Sequence, residues 1–180
     1  MRGVDDFARR LLEEAKRFHE KARDEADGEG KQAYLHAAIM LGCCSLEAHI
    51  NSIADDFLVR PELSILERSI LAEREHRLEN GEFVLTDILK MYRLTERIEF
   101  LYRRFSGGEL DKTQAWWGQL KAALNTRNEL SHPKQHTLVT EQCVDQALRS
   151  ILDALNAIYQ GIYRKPYPAH KRALNSKLTF

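Results

Sequence analysis

Proline and glycine are scarce in this chain, at 4 and 9 among 180 residues, so little in it interrupts a helix or marks a repeated turn. Cysteine is scarcer still. The three thiols fit no disulfide framework, because their number is odd. Cys43 and Cys44 are adjacent, Cys143 is distant, and none has metal-ligand spacing. All three fall within helical apolar patterns and read as reduced core residues. No apolar run approaches the roughly 18 residues that span a bilayer. The opening Met1-Arg2-Gly3-Val4-Asp5-Asp6 lacks the apolar core of a signal peptide. The expectation is a cytoplasmic protein with no membrane partner. Net charge is missing too: 27 basic residues offset 27 acidic ones, which excludes a generic nucleic-acid coat. Its distribution is uneven, however. No acidic residue follows Asp153, whereas Arg164, Lys165, Lys171, Arg172 and Lys177 do. Such asymmetry permits local contact with a polyanion.

What the chain does contain favours helix. Ala, Leu, Glu, Lys and Arg are abundant, apolar residues make up 43% and charged residues 30%. The spacing predicts a first helix over residues 5–26, with Val4, Phe7, Leu11, Leu12, Ala15, Phe18 and Ala22 on its inner face. Asp27-Gly28-Glu29-Gly30 ends it. A second, central helix follows over 31–58, with a stripe that includes Tyr34, Ala38, Leu41, Cys44, Leu46, Ile53 and Phe57. Its small residues, Gly42 among them, permit close helix approach. Residues 61–90 read as an insertion. Ser64 caps a helix to about residue 78, and Asn80-Gly81 marks a turn into a loop, Phe83-Val84-Leu85 being short for a strand. A helix over 94–105 ends at Ser106-Gly107-Gly108. Asp111 or Thr113 then caps another, which runs to about Ser131. Thr140 opens the last, to about Tyr163, with Val144, Ala147, Leu148, Ile151, Leu152, Leu155, Ile158 and Ile162 at helical spacing. The sum is an all-α, antiparallel bundle of about five helices over 1–163, with a basic C-terminal tail over 164–180.

The chemistry concentrates in Arg127-Asn128-Glu129-Leu130-Ser131-His132-Pro133. Asn128 and His132 lie four apart, as do Arg127 and Ser131, on adjacent strips of one helix surface. Pro133 biases the residue before it away from helix, so His132 sits at a frayed helix end. A guanidinium, an amide and an imidazole thus project from one last turn. An arginine is always charged and grips two phosphate oxygens in fork geometry, and an imidazole moves protons near neutral pH. The plain alternative is structural: cations in a last turn complement the macrodipole and cap free carbonyls.

The Arg127-(polar)-x-x-x-His132 pattern resembles the signature of the HEPN superfamily, helical bundles found among toxins, phage-defence proteins and RNA-processing enzymes. The resemblance extends to context. The motif ends one helix, a short loop with Pro133 follows, and then a long amphipathic helix. Two long N-terminal helices precede it, including Ser45-Leu46-Glu47-Ala48-His49-Ile50. It implies a metal-independent endoribonuclease with no cofactor, built as a homodimer whose two motifs face one groove. Arg127 and His132 would be catalytic, with Asn128 orienting the imidazole or holding a phosphate oxygen. RNA would be the substrate and an antitoxin or other protein a possible partner. Some members keep the fold and only bind. One toxin subgroup has a tyrosine two residues after the histidine, where this chain has Lys134.

Other readings remain beside it. Glu73-x-x-His76 and Glu129-x-x-His132, with Glu47 and Glu99 on other helices, match the ligand count of a di-iron carboxylate bundle. The charged run over 73–77 reads instead as a solvated helix face. Glu47 is either a site carboxylate paired with Arg127 or His132, or one half of a core ion pair. Trp116 and Trp117 are consecutive, so one faces the core and the other outward. His19, His36 and His49 read as ordinary helix residues. The tail is either a single-strand binder with interleaved aromatics or a disordered solubilising segment.

Overall fold

The computed structural model describes residues 2–180. Its elements run α1 (Arg2–Asp24), α2 (Gly28–Leu58), α3 (Ile65–Ala72), β1 (Arg74–Glu79), β2 (Glu82–Leu89), α4 (Leu94–Ser106), α5 (Ala115–Ser131), α6 (Glu141–Tyr163) and a 3-10 turn at His170–Arg172. The fold is therefore mostly helical, with six α-helices and one small antiparallel hairpin.

Asp27 does not end α1 so much as begin α2: its carboxylate accepts the Gly30 N–H at 2.6 Å. The tight turn lays α1 against α2, and Leu12, Ala15 and Ala22 of α1 are fully buried there. Val4 and Phe7, expected inside, are 42% and 58% exposed; the core-facing stripe begins at Ala8. α2 is the central helix, burying Leu35, Ile39, Cys43, Leu46, Ile50 and Ile53. By length and composition it could cross a membrane, yet most of its apolar stretch is buried among the other helices. At Gly42, α2 packs closely on α6: a Cβ there would stand 2.7 Å from Leu148 and 3.2 Å from Ile151. Cys43 is buried as expected, but Cys44 is exposed and Cys143 half-buried, so only one of the three thiols is a core residue.

Residues 61–90 depart most from the sequence reading. Ser64 and Glu67 form a reciprocal capping box, but α3 stops at Ala72, one turn or more before residue 78. Glu73 adopts φ 50°, ψ 46°, and the chain turns into β1. Asn80 (φ 51°) and Gly81 (φ 87°) both take left-handed conformations, the geometry of a tight hairpin turn, and β2 pairs back with Leu78 opposite Phe83 and His76 opposite Leu85. The segment is thus a helix and a hairpin, not a helix and a loop. Glu73 is not on a solvated face. It is buried, its carboxylate 2.8 Å from the buried Arg97 of α4, which also bonds Asn51 of α2 at 2.7 Å. That pair locks the hairpin module onto the bundle. Glu73-x-x-His76 consequently spans a helix end and a strand rather than one helical face, and the di-iron reading loses its first ligand pair.

α5 lacks the expected cap. Gln114 is its N-cap without a side-chain bond, and Asp111 instead organises the preceding turn through Thr113 and Gln114. Thr140 caps α6 as expected. Residues 164–180 do not dangle. Tyr167, Ala169 and Leu174 are buried, and Arg172 forms a two-pronged pair with Glu13 of α1 at 2.7 and 3.1 Å. Ser176 and Lys177 donate backbone N–H groups to Glu20 and Glu13. The tail is a strap across α1, because its apolar residues are buried and Arg172 and two backbone N–H groups find carboxylates there, while its other cations stay exposed. His19 and His49 are likewise not surface residues; both are fully buried.

Candidate functional site

The motif closes α5. His132 is its C-cap (φ −130°, ψ 63°), its backbone N–H bonded to the Asn128 carbonyl at 2.9 Å. The proline that follows disfavours the helical region at His132. Ser131 spends its hydroxyl on the Arg127 carbonyl at 2.9 Å. Seven residues after His132, the connecting loop is pinned where Gln32 of α2 bonds both the N–H and the carbonyl of buried Val139. Between those two anchors the loop is largely exposed.

Three of the four residues singled out from the sequence share one open groove of 460 Å³. Glu47 enters it from α2, and Arg127 and Asn128 from α5. Residues 91–95, which lead from the hairpin into α4, form the opposite wall. The fourth residue, His132, is exposed one turn further on and does not line that groove. A single chain therefore gathers the charged fork, an amide and a carboxylate, and leaves the imidazole outside.

Lys121, Asn125 and Arg93 also line the groove and were missed. Lys121 and Asn125 stand seven and three residues before Asn128, so they continue its helical strip, a signal the spacing contained. Arg93 arrives from the hairpin module, which no local pattern ties to the motif. With Arg93, Lys121 and Arg127 against Glu47, cations prevail, and Leu94 and Leu124 supply apolar floor. Such a surface suits a phosphodiester with a base laid beside it.

Arg127 is half-buried, and its Nε is enclosed with no protein partner. Its terminal nitrogens remain for a ligand. Its charge reaches the neighbouring thiols but does not activate them. Burial pushes the Cys43 thiol up to about 12, Arg127 only partly opposing it, and burial with Glu47 raises Cys44 as well. Both shifts favour the thiol over the thiolate, so neither cysteine is activated here as a nucleophile. The ion pair that sequence left open for Glu47 is taken by Glu73, on Arg97; Glu47 acts on Arg97 only at longer range. Trp117 is buried and Trp116 half-exposed against it, rings edge to face at 5.6 Å. Among the described residues, no three or more His, Cys, Asp or Glu side chains gather into a metal site. No family model, curated protein or solved structure matches this chain.

Proposed function

We propose that this chain is a HEPN-like, homodimeric, cytoplasmic endoribonuclease that cuts single-stranded RNA without a metal, in a toxin or phage-defence setting. The observation that carries the reading is the groove in which Arg127 and Asn128 meet Lys121 and Arg93, with an exposed imidazole one turn beyond. Arg127 holds two oxygens of the scissile phosphate and offsets the charge that builds on the phosphorane. A neutral His132 takes the proton of the 2′-hydroxyl, whose oxygen attacks phosphorus. The 5′ oxygen leaves with a proton from the second copy's imidazolium. The products are a 2′,3′-cyclic phosphate and a 5′-hydroxyl end, and DNA, lacking the nucleophile, is spared. The exposure of His132 outside its own groove is what a site completed by a second copy requires.

The test is cleavage of single-stranded RNA by purified protein in excess chelator. Arg127→Ala and His132→Ala should each lower the rate by ~10²–10⁴ with helical content and dimer unchanged. The second reading is a HEPN-like module that binds RNA, a nucleotide or an antitoxin-like protein without cutting. It draws on the same separation of His132 from the groove. Wild-type protein that binds RNA in chelator but leaves it whole would establish that reading and sink the first.

A further inference from the structure

A second cavity, also of 460 Å³, shares no lining residue with the groove. It opens between the first turns of α1, the last turns of α2, the end of α6 and the strap that follows. Its apolar walls are the Tyr159 and Tyr163 rings, centroids 5.2 Å apart and tilted at 54°, with Ile53 and Pro166. Its volume falls within the roughly 300–1,000 Å³ of small-molecule pockets.

Two carboxylates, the Ser52 hydroxyl and one cation, Lys165, reach it. Asp56 takes the Tyr163 O–H on Oδ2 at 2.6 Å, and Asp5 is joined to Arg9 through its own Oδ2. Among the described residues, Oδ1 of each carboxylate and the Ser52 hydroxyl make no hydrogen bond, and all three residues line the cavity. Burial first, then the Asp5 carboxylate, hold the Tyr159 phenol up to about 12, with Arg9 opposing and Asp56 adding to the rise. An anion would meet two carboxylates. A neutral apolar guest would leave their oxygens stripped of water without partners. A primary ammonium brings three N–H donors for three acceptors, and its charge is further favoured over a tyrosine face. Lys165 is the one cation in the lining, and it opposes such a guest.

We propose that this cavity binds a small primary amine, as its ammonium, with an apolar body lying against Tyr159 and Tyr163. This inference stands apart from the ribonuclease reading and survives its failure. The experiment is an NMR titration of the full chain, labelled at tyrosine rings, with 2-phenylethylammonium chloride and in parallel with its neutral counterpart 2-phenylethanol. Saturable shifts at Tyr159 and Tyr163 are expected with the ammonium. The alcohol, which cannot form the charge-assisted bonds, should bind about tenfold more weakly or less. Asp56→Asn should weaken the ammonium by a similar factor, while Lys165→Gln should tighten it. The lysine is exposed, so that variant carries the test with opposite sign should Asp56→Asn disturb the helices. Equal affinity for alcohol and ammonium, no saturation, or indifference to the charge at positions 56 and 165 would overturn the proposal.

Discussion

Tyr167 donates its phenolic O–H to Nε2 of His49 across 3.0 Å, in a fully buried contact that joins the strap to the central helix. The other ring nitrogen, Nδ1, lies 2.8 Å from the Ser45 carbonyl and must donate to it, since a carbonyl only accepts. Burial lowers the pKa of this imidazole and so favours its neutral form, in which the one proton sits on Nδ1 and Nε2 accepts. Ser45 itself donates to the Ala8 carbonyl of α1 at 2.7 Å, so one short chain of bonds links α1, α2 and the strap.

Tyr167→Phe keeps the ring and removes only the donor. It leaves a buried acceptor without a partner and should cost ~1–3 kcal/mol. The urea midpoint should fall with the slope unchanged; an unaltered midpoint would show that the bond contributes nothing.

Acid should weaken the fold in a defined window. Burial depresses the His49 and His19 pKa values below the usual 6.5, the Ser45 carbonyl only partly opposing this for His49. Between the folded values and 6.5 the unfolded chain binds more protons than the native one. Their contribution is thus complete above 6.5 and is lost as pH falls through the folded values. Neither ring nitrogen of His19 has a protein partner, so His19→Leu should flatten part of this acid limb without loss of stability at pH 8. Glu13, whose two Arg172 bonds and Lys177 N–H outweigh the effect of its burial and lower its pKa, responds only below 4.5. Denaturant midpoints measured from pH 8 to pH 5 would expose the error if they stayed level.

The strap depends on Glu13. This one carboxylate receives Arg172 and the Lys177 N–H, and lies 3.7 Å from the ammonium of fully buried Lys16, whose pKa burial has lowered. Glu13→Ala should cost about 3 kcal/mol, the lower end for breaking a buried pair because Arg172 is a third exposed. Proteolysis should then nick the chain after residue 164. A variant that unfolds at the wild-type midpoint and resists protease would remove Glu13 as the anchor.

Arg97→Ala should cost ~3–5 kcal/mol, since it leaves the buried Glu73 carboxylate unpaired. The consequence is local as well. Glu73 also receives the Tyr92 N–H at 3.3 Å and, on its carbonyl, that of Lys90 at 2.8 Å, so amide exchange over residues 74–92 should accelerate more than in α1 or α2. Since residues 91–95 form a wall of the groove, the proposed function requires that RNA affinity drop too. Uniform acceleration across the chain would argue against a separate module.

Gly42→Ala sets two effects of opposite sign against each other. Helix propensity gains ~1 kcal/mol, but overpacking against Leu148 costs ~1–3 kcal/mol. Net destabilisation is expected, and a raised melting temperature would mean that α2 and α6 can separate without penalty.

The long helices were legible because each has to hide one stripe of side chains, and a stripe repeats every 3.6 residues whatever it packs against. Val144 through Ile158 on α6 were readable for that reason, and the end of α5 at His132 because Pro133 stands next to it. Caps were readable where a short polar side chain bonds its own neighbours, as at Ser64 and Thr140. The left-handed turn at Glu73 carries no such mark, since no glycine stands there; it is held by an arginine 24 residues away. The tail looked free because its cations have no local counter-charges, yet Arg172 finds Glu13 159 residues back. For the site, sequence alone chose Arg127, Asn128, His132 and Glu47 by residue chemistry. Only the packing of α2, α5 and the hairpin module decided that Glu47, Arg127 and Asn128 share a groove with Arg93 while His132 stays outside it. Periodicity is a property of neighbours along the chain, whereas a groove belongs to surfaces that meet across it.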